Sequence, residues 1–452
     1  METRGSSFFS SLVLLLFICV SFLAVASVSQ LQAATSYSPL LQVLIRKGII
    51  TEQEAAEIEA EAAQIQQEQK EQMAREIRKE AVPRPLRGLK FRMLSYLDYS
   101  AGEEGEPGGG QKSWNRFTIK RAYFRVDKDI TPWLHAHMTF DAHQDDSGDW
   151  KNRLKYLYAL FRLPDLGPVT DIKSEAGLGH IPWLDFEEHV NPYRCQGTMA
   201  IERAHVFNSA DMGVSVMGNL GGRLDDAEHL IGSHHYDGRW GSWHLGVYNG
   251  GGYHADEHNG NKVVEGRLTI RPLPDMIPGL QFSYFGLYGE GNNQAEDALR
   301  NSDGYPDYRV HLGMMSYQSP RLILTAQYFT SRGNKDGSWY DDDGDALDTE
   351  GYSFFVNFRP PLAGFSGDWD RRLNLFARFD HFDADRDEEM ADDADYDLYI
   401  VGSALEIFRG NYILAAYEHY DYGEDYNGKR RPKEDNDLGD EHKFQLVYQL
   451  KF

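Results

Sequence analysis

The last eleven residues of the chain, His442 to Phe452, alternate strictly enough to fix what they can form. Counting back from Phe452, one face carries Leu450, Tyr448, Leu446 and Phe444. The other carries Lys451, Gln449, Val447, Gln445 and Lys443. A strand sends successive side chains to opposite sides, so this one offers one face to lipid and one to water. A soluble sandwich would turn the polar face outward, whereas a closed barrel in a bilayer turns it toward its lumen.

The same alternation recurs from Leu89 onward. Leu134, Ala136, Met138, Phe140 and Ala142 oppose His135, His137, Thr139, Asp141 and His143. Tyr352, Phe354, Val356 and Phe358 oppose Ser353, Asn357 and Arg359, and Leu373, Leu375, Ala377 and Phe379 oppose Asn374, Arg378 and Asp380. About sixteen such segments begin near residues 89, 115, 133, 153, 172, 211, 241, 262, 280, 308, 321, 351, 371, 396, 411 and 442. Their connectors mostly alternate between short turns and long, acidic, Gly-rich loops, the pattern of periplasmic turns and extracellular loops. The connector Leu220–Arg239 is long where a short turn is expected, which reads as a slip in register. The fold class predicted is all-β: a transmembrane antiparallel β-barrel of about sixteen strands over residues 88–452, in the bacterial outer membrane. The terminal Phe452 is similar to the insertion signal of such barrels.

The amino terminus fits export. Arg4 precedes an apolar stretch, Leu12 to Ala26, with small residues at its end, which reads as a signal peptide over 1–26, with Ala33 the alternative cleavage site. Phe17-Ile18 ahead of Cys19 do not make a lipoprotein cleavage box. Residues 38–82 follow as a periplasmic helical leader. Thr51 and Glu54 have the form of a capping box. Ile58, Ala62 and Ile65 are spaced for a coiled-coil seam, which Gln69 and Gln72 weaken. Pro83 and Pro85 close the segment.

Outside the signal, the sequence has no apolar run long enough for a spanning helix, and the mean hydropathy is −0.55. Barrel strands are only half apolar, so the 13% aromatic content sits comfortably with that value. A net charge of −24 argues against a nucleic-acid partner. Cys195 is the only cysteine beyond the signal, so the exported chain forms no internal disulfide.

Residues 180–210, between the fifth and sixth strands, hold Trp183, Phe186, Tyr193, Met199, Ile201 and Phe207 among many charges. Such a loop needs a surface to pack on. The inner wall of a wide barrel supplies one, making this a constriction loop; an external loop covering a subunit contact is the alternative. On the second strand Arg121, Arg125, Tyr123 and Phe117 share a face by even spacing, and Lys120 points the other way. A cation facing lipid at mid-membrane costs roughly 2–4 kcal/mol. Lys120 therefore calls for a bulge, a place near the interface or a subunit contact.

Three motifs are similar to the phosphate-selective porins O and P of bacterial outer membranes: Arg116–Arg125; Gly177–Pro182 with Gly197–Arg203; and Asp211–Gly218 leading to Gly246–Gly250. The resemblance runs patchily over Leu89–Phe452. It implies a homotrimer of barrels, each a passive diffusion channel for small hydrophilic solutes or ions such as phosphate, drawn along lumen arginines. Arg116, Arg121 and Arg125 match the family's basic strand and Arg203 its loop arginine. The crowded acidic loops and the lack of a lysine cluster in the loop depart from the pattern and put phosphate selectivity in question. The pore-lining, anion-binding candidates are Arg121, Arg125, Arg162, His189, Arg194, Glu202 and Arg203.

Other partners expected are outer-membrane lipid and lipopolysaccharide, with weak Ca²⁺ or Mg²⁺ binding at the acidic loops and no cofactor. His135, His137, Asp141 and His143 share a face and are weighed as a divalent-metal site against plain lumen lining. No nucleophile elbow or His-Glu-x-x-His helix is present, so the chain is read as no enzyme. An outer-membrane hydrolase, or a barrel sheathing an extracellular electron-transfer or adhesion complex, are the alternative functions.

Overall fold

The computed structural model describes residues 38–81, 83, 86–106, 110–145, 147–295, 304–361, 372–434, 436 and 438–452. The signal peptide expected over residues 1–26, with its alternative cleavage at Ala33, lies outside them. The chain divides into two compact units, with the second running from Gly88 to Phe452. In the first, α1 (Pro39–Arg46) and α2 (Glu52–Ala81) are joined by a turn at Gly48. Ser38 N donates to Glu59 Oε1 at 3.0 Å, and Leu41 and Ala55 are buried. The α2 start is capped reciprocally: Glu54 N donates to Thr51 Oγ1 at 3.2 Å and Thr51 N to Glu54 Oε2 at 2.8 Å.

The second unit is built on sixteen strands. They are β1 (Leu89–Glu106), β2 (Gly110–Thr131), β3 (Leu134–Gln144), β4 (Trp150–Arg162), β5 (Val169–His180), β6 (Ala210–Leu220), β7 (Gly241–Tyr248) and β8 (Val263–Ile270). There follow β9 (Leu280–Glu290), β10 (Asp307–Gln318), β11 (Leu322–Arg332), β12 (Asp348–Phe358), β13 (Leu373–Asp383), β14 (Asp395–Phe408), β15 (Asn411–Tyr422) and β16 (Glu441–Lys451). Each pairs antiparallel with its neighbours in sequence, and β1 pairs with β16 to close the barrel. Met93 and Phe452 exchange backbone hydrogen bonds at 2.9 and 3.1 Å, so the last residue completes the seam. A closed barrel leaves no strand edge unpaired in lipid, which the bilayer demands. No helix among the described residues is long and apolar enough to cross a membrane.

The faces sort as the period of two requires. Phe140, Leu157, Leu245, Phe282, Phe354 and Val401 are exposed on the outside. Thr139, Asp141, Ser215, Thr269, Asn357 and Gln445 are buried on the inside. An apolar outer band over a polar inner wall is the signature of a membrane barrel. The chain is thus a multi-pass barrel of the outer-membrane type.

The interior is not uniformly polar. The β5–β6 segment carries α3 (Leu184–Val190) and α4 (Ala200–Arg203) and folds inward. Trp183, Phe186, Tyr193, Ile201 and Phe207 are almost wholly buried against inward-facing Phe285, Phe355 and Phe376. Trp183 and Phe207 flank Phe285, with ring centroids 5.9 and 5.5 Å away, and Tyr193 stacks on Phe376 at 4.4 Å. Burial of each such side chain contributes roughly 1.5–3 kcal/mol, which holds a long loop inside a water-filled tube. The β6–β7 connector is long without any slip in register: Leu220 pairs with Gly241, and helix α5 (Ala227–Ile231) lies between them.

Candidate functional site

Two β-bulges build the basic wall. In β2, Tyr96 pairs with Arg121 and Leu97 with Ile119, so Lys120 is the extra residue. Both Lys120 and Arg121 then face the lumen, and the lipid-facing cation that strict alternation requires is avoided. The same bulge corrects the expectation for Phe117. The residues before the bulge reverse faces, and Phe117 stands 86% exposed on the outer wall. In β4, Thr139 pairs with Tyr156 and Phe140 with Leu154, leaving Lys155 as the extra residue. Lys155 is 6% exposed and has the rings of Tyr123, Tyr156 and Tyr253 around it at 4.8, 5.5 and 5.8 Å. Among the described residues no carboxylate forms an ion pair with it, and cation–π attraction compensates the charge.

The inward loop is tied to this wall and to the opposite one. Lys120 Nζ donates to the carbonyl oxygens of Cys195 and Gln196, at 3.0 and 2.7 Å, and to Gln445 Oε1 at 2.7 Å. Arg203 Nη1 lies 2.9 Å from Glu418 Oε2 and 2.9 Å from Tyr420 Oη. A Cβ on Gly197 would lie 2.0 Å from Arg203 Nη2, so a larger residue there would displace the guanidinium. Arg378, from β13, donates to Thr198 O at 2.8 Å. Tyr193 Oη reaches Asn357 Oδ1 at 2.9 Å.

Two carboxylates are each shared by two cations. Asp141 lies 3.6 Å from Arg121 and 3.0 Å from Arg153. Glu418 lies 2.9 Å from Arg203 and 3.0 Å from Lys443. Both carboxylate side chains are only 1% exposed, so the cationic groups stand between them and water. Arg194 is the reverse case, one guanidinium between Glu188 at 3.0 Å and Glu202 at 3.7 Å.

Between the loop and strands β1–β3 and β16 lies a cavity of ≈ 800 Å³. Its walls present Arg116, Lys120, Arg121, Arg194, Arg203 and Lys443 against Asp98, Glu104, Asp145 and Glu441. Six cations and four carboxylates thus face the cavity, with Asp141, Glu188, Glu202 and Glu418 pairing four of the six cations from behind the lining.

Of the candidates drawn from sequence, the structure brings Arg121, Arg194 and Arg203 to this cavity, with Glu202 bound to Arg194 behind it. Arg125 lies on the inner face of β2, beyond the cavity lining, and its Nε has no hydrogen-bond partner among the described residues. His189 faces the other way: its Nδ1 lies 2.5 Å from Asp185 O and its ring is 4.0 Å from that of His235. Arg162 stands exposed where β4 meets its short turn, 3.5 Å from Pro132 O, away from the loop, because strand length rather than alternation decides depth.

His135 is paired with Asp129, and His137 with Asp127 at 2.8 Å. No group of three metal-binding side chains assembles among the described residues. Sequence reasoning missed Lys155, Lys443, Arg153 and Glu418. The one available signal was the break in alternation at Lys155, where a charge interrupts Leu154 and Leu157.

Among solved structures the fold is similar to an anion-selective porin from Comamonas acidovorans, with a TM-score of 0.51, 8% identity, and coverage of 80% of this chain and 100% of that one. It is also similar to OmpF of Salmonella typhi in complex with daunomycin, with a TM-score of 0.51, 12% identity, and coverage of 80% and 97%. At such identities the likeness is one of fold. No protein-family model and no curated protein matches the sequence.

Proposed function

We propose that the chain is a passive outer-membrane channel for small hydrophilic solutes, preferring anions, in the manner of the phosphate-selective porins that its motifs resemble. The observation that carries the reading is the cavity against the inward loop, whose wall presents six cationic side chains while the carboxylates that pair four of them lie behind the lining. Charges at a constriction act through poorly screened space and set the sign of the ion that passes. The lysines that the loop lacks are supplied instead by the strand bulges and by β16.

The N-terminal leader fits a periplasmic oligomerisation stalk. Ile58 and Ile65 stay exposed along α2 in the single chain, as the unpaired seam of a coiled coil does. A homotrimer follows the family resemblance, with lipid and lipopolysaccharide around it. No reacting group is invoked, since the solute's own gradient drives flow.

The test is conductance of the purified protein in a planar bilayer under a KCl gradient, followed by addition of phosphate. An anion-selective reversal potential, with chloride current blocked by phosphate, is expected. Cation selectivity refutes the reading of sign, and absence of any conductance refutes the channel.

A further inference from the structure

The connector between β6 and β7 departs from every other described turn at that end of the barrel. Its base is closed by hydrogen bonds from Leu224 N to Asp237 O at 2.7 Å and from Arg239 N to Gly222 O at 2.9 Å. It carries a small core of its own, Leu224, Ala227 and Ile231. From its root it reaches over to the β10–β11 turn, where a Cβ on Gly232 would lie 3.3 Å from the Cα of Pro320. It therefore runs across the mouth rather than away from it.

At its far end the connector turns into the lumen. Tyr236 holds a left-handed backbone conformation, φ 52°, which costs a bulky residue roughly 1–2 kcal/mol. Its ring packs edge-on against Phe186, centroids 5.1 Å apart, and its hydroxyl donates to Asp185. His235 beside it faces His189 at 4.0 Å. Arg267 of β8 lies over both rings, 4.3 Å from Phe186 and 4.9 Å from Tyr236, and donates to Pro182 O at 2.9 Å. Arg271 holds the Gly238 carbonyl at 3.2 Å. The loop from one mouth and the connector from the other thus meet inside the barrel. Beside the junction lies a cavity of ≈ 260 Å³, walled by Glu175, His180, Asp185, His235, Tyr236 and Arg267.

We propose that the connector is a second constriction, and that the size limit of the channel is set where His235 and Tyr236 meet Asp185 and His189. This rests on the channel reading above. The cavity is smaller than the roughly 300–1,000 Å³ of pockets that take drug-sized ligands, and corresponds to about eight or nine waters at ~30 Å³ each. A hydrated small oxyanion fits it and a disaccharide does not. The strained Tyr236 is retained because the contacts at the junction over-determine it.

The experiment uses full-length protein reconstituted in liposomes and in planar bilayers, with retention of the heat-modifiable barrel band on gels as the check of folding. The wild type and the H235A/Y236A double variant are compared by swelling in glucose, sucrose and raffinose and by single-channel conductance. The wild type is expected to admit glucose and exclude sucrose. The double variant is expected to admit sucrose and to conduct at least twofold more. Tyr236→Phe keeps the ring and removes only the bond to Asp185; it should raise conductance by less than the double variant, and it carries the test if that variant fails to fold. A wild type that passes sucrose, or folded variants with unchanged conductance and cut-off, overturns the second constriction while leaving the channel standing. No conductance from wild type or variants overturns both.

Discussion

Lys120 Nζ lies 2.7 Å from the carbonyl oxygen of Gln196, joining a strand bulge to the middle of the inward loop. The ammonium satisfies two loop carbonyls and the Gln445 side chain together. Replacing it by an isosteric apolar residue leaves those acceptors buried without a donor, at about 1–3 kcal/mol. Lys120→Met is therefore expected to lower the thermal transition of the folded barrel and to add open-channel noise as the loop loosens. An unchanged transition with quiet channels would show that the apolar packing of Trp183, Phe207 and Tyr193 alone fixes the loop.

The sharing of Glu418 by Arg203 and Lys443 makes a paired prediction. Arg203→Ala removes one of the two cations while the carboxylate stays, so anion preference should fall. Glu418→Gln removes the carboxylate while both cations stay, so anion preference should rise, with some loss of stability from two unpaired charges. Gly197→Ala pushes the Arg203 guanidinium aside without deleting it and should fall between wild type and Arg203→Ala. Reversal potentials under a KCl gradient read all three; identical values for wild type and Arg203→Ala would sink the role given to this arginine.

What could be read from sequence follows from what has a period. Each strand starts within five residues of its expected position, the widest difference being 110 against 115 for β2. Alternation with a period of two is a strong signal when one side must meet lipid. The bulges carry no such signal. Lys120 was legible only through the energetic cost of its alternative, and Phe117 was assigned to the wrong face because a single inserted residue flips every neighbour on one side. Depth was equally hidden, so Arg162 looked like its neighbours in alternation yet stands at the rim. The long β6–β7 connector looked like an error of register because nothing local says that a turn will fold into a lumen and find the Phe186 ring there.

The leader makes a separate prediction. Glu54 is held below the usual carboxylate range by hydrogen bonds from the Thr51 backbone and hydroxyl. A lowered folded-state value means that this support is present above the unfolded pKa and is lost as pH falls through the folded one. Thr51→Ala should therefore reduce helicity of the leader at neutral pH and leave little difference from wild type in acid. Circular dichroism of the isolated 38–82 segment reads helicity directly, and sedimentation of the full chain with and without that segment reads its part in assembly. Helicity unaffected by Thr51→Ala at neutral pH would mean that the pairing with α1, not the cap, sets the helix start.

The junction of His235 with His189 predicts a pH response. Although His235 as a whole is exposed, the packing around its ring and the nearness of His189 push it down to about 4, against the pull of Asp185 and Asp237; Lys451 adds to the fall. An undocked connector would leave His235 near the usual value of about 6.5. Between those limits the free form takes up a proton that the docked form refuses, so docking is at full strength above about pH 6.5 and weakens as pH falls toward 4. Conductance should thus increase over that window as the connector leaves the lumen, and His235→Gln, which cannot charge, should flatten the response. Because the acidic loops also gain protons in that range, the comparison of variant with wild type is what isolates the junction. Parallel pH curves for the two proteins would place the titrating group elsewhere.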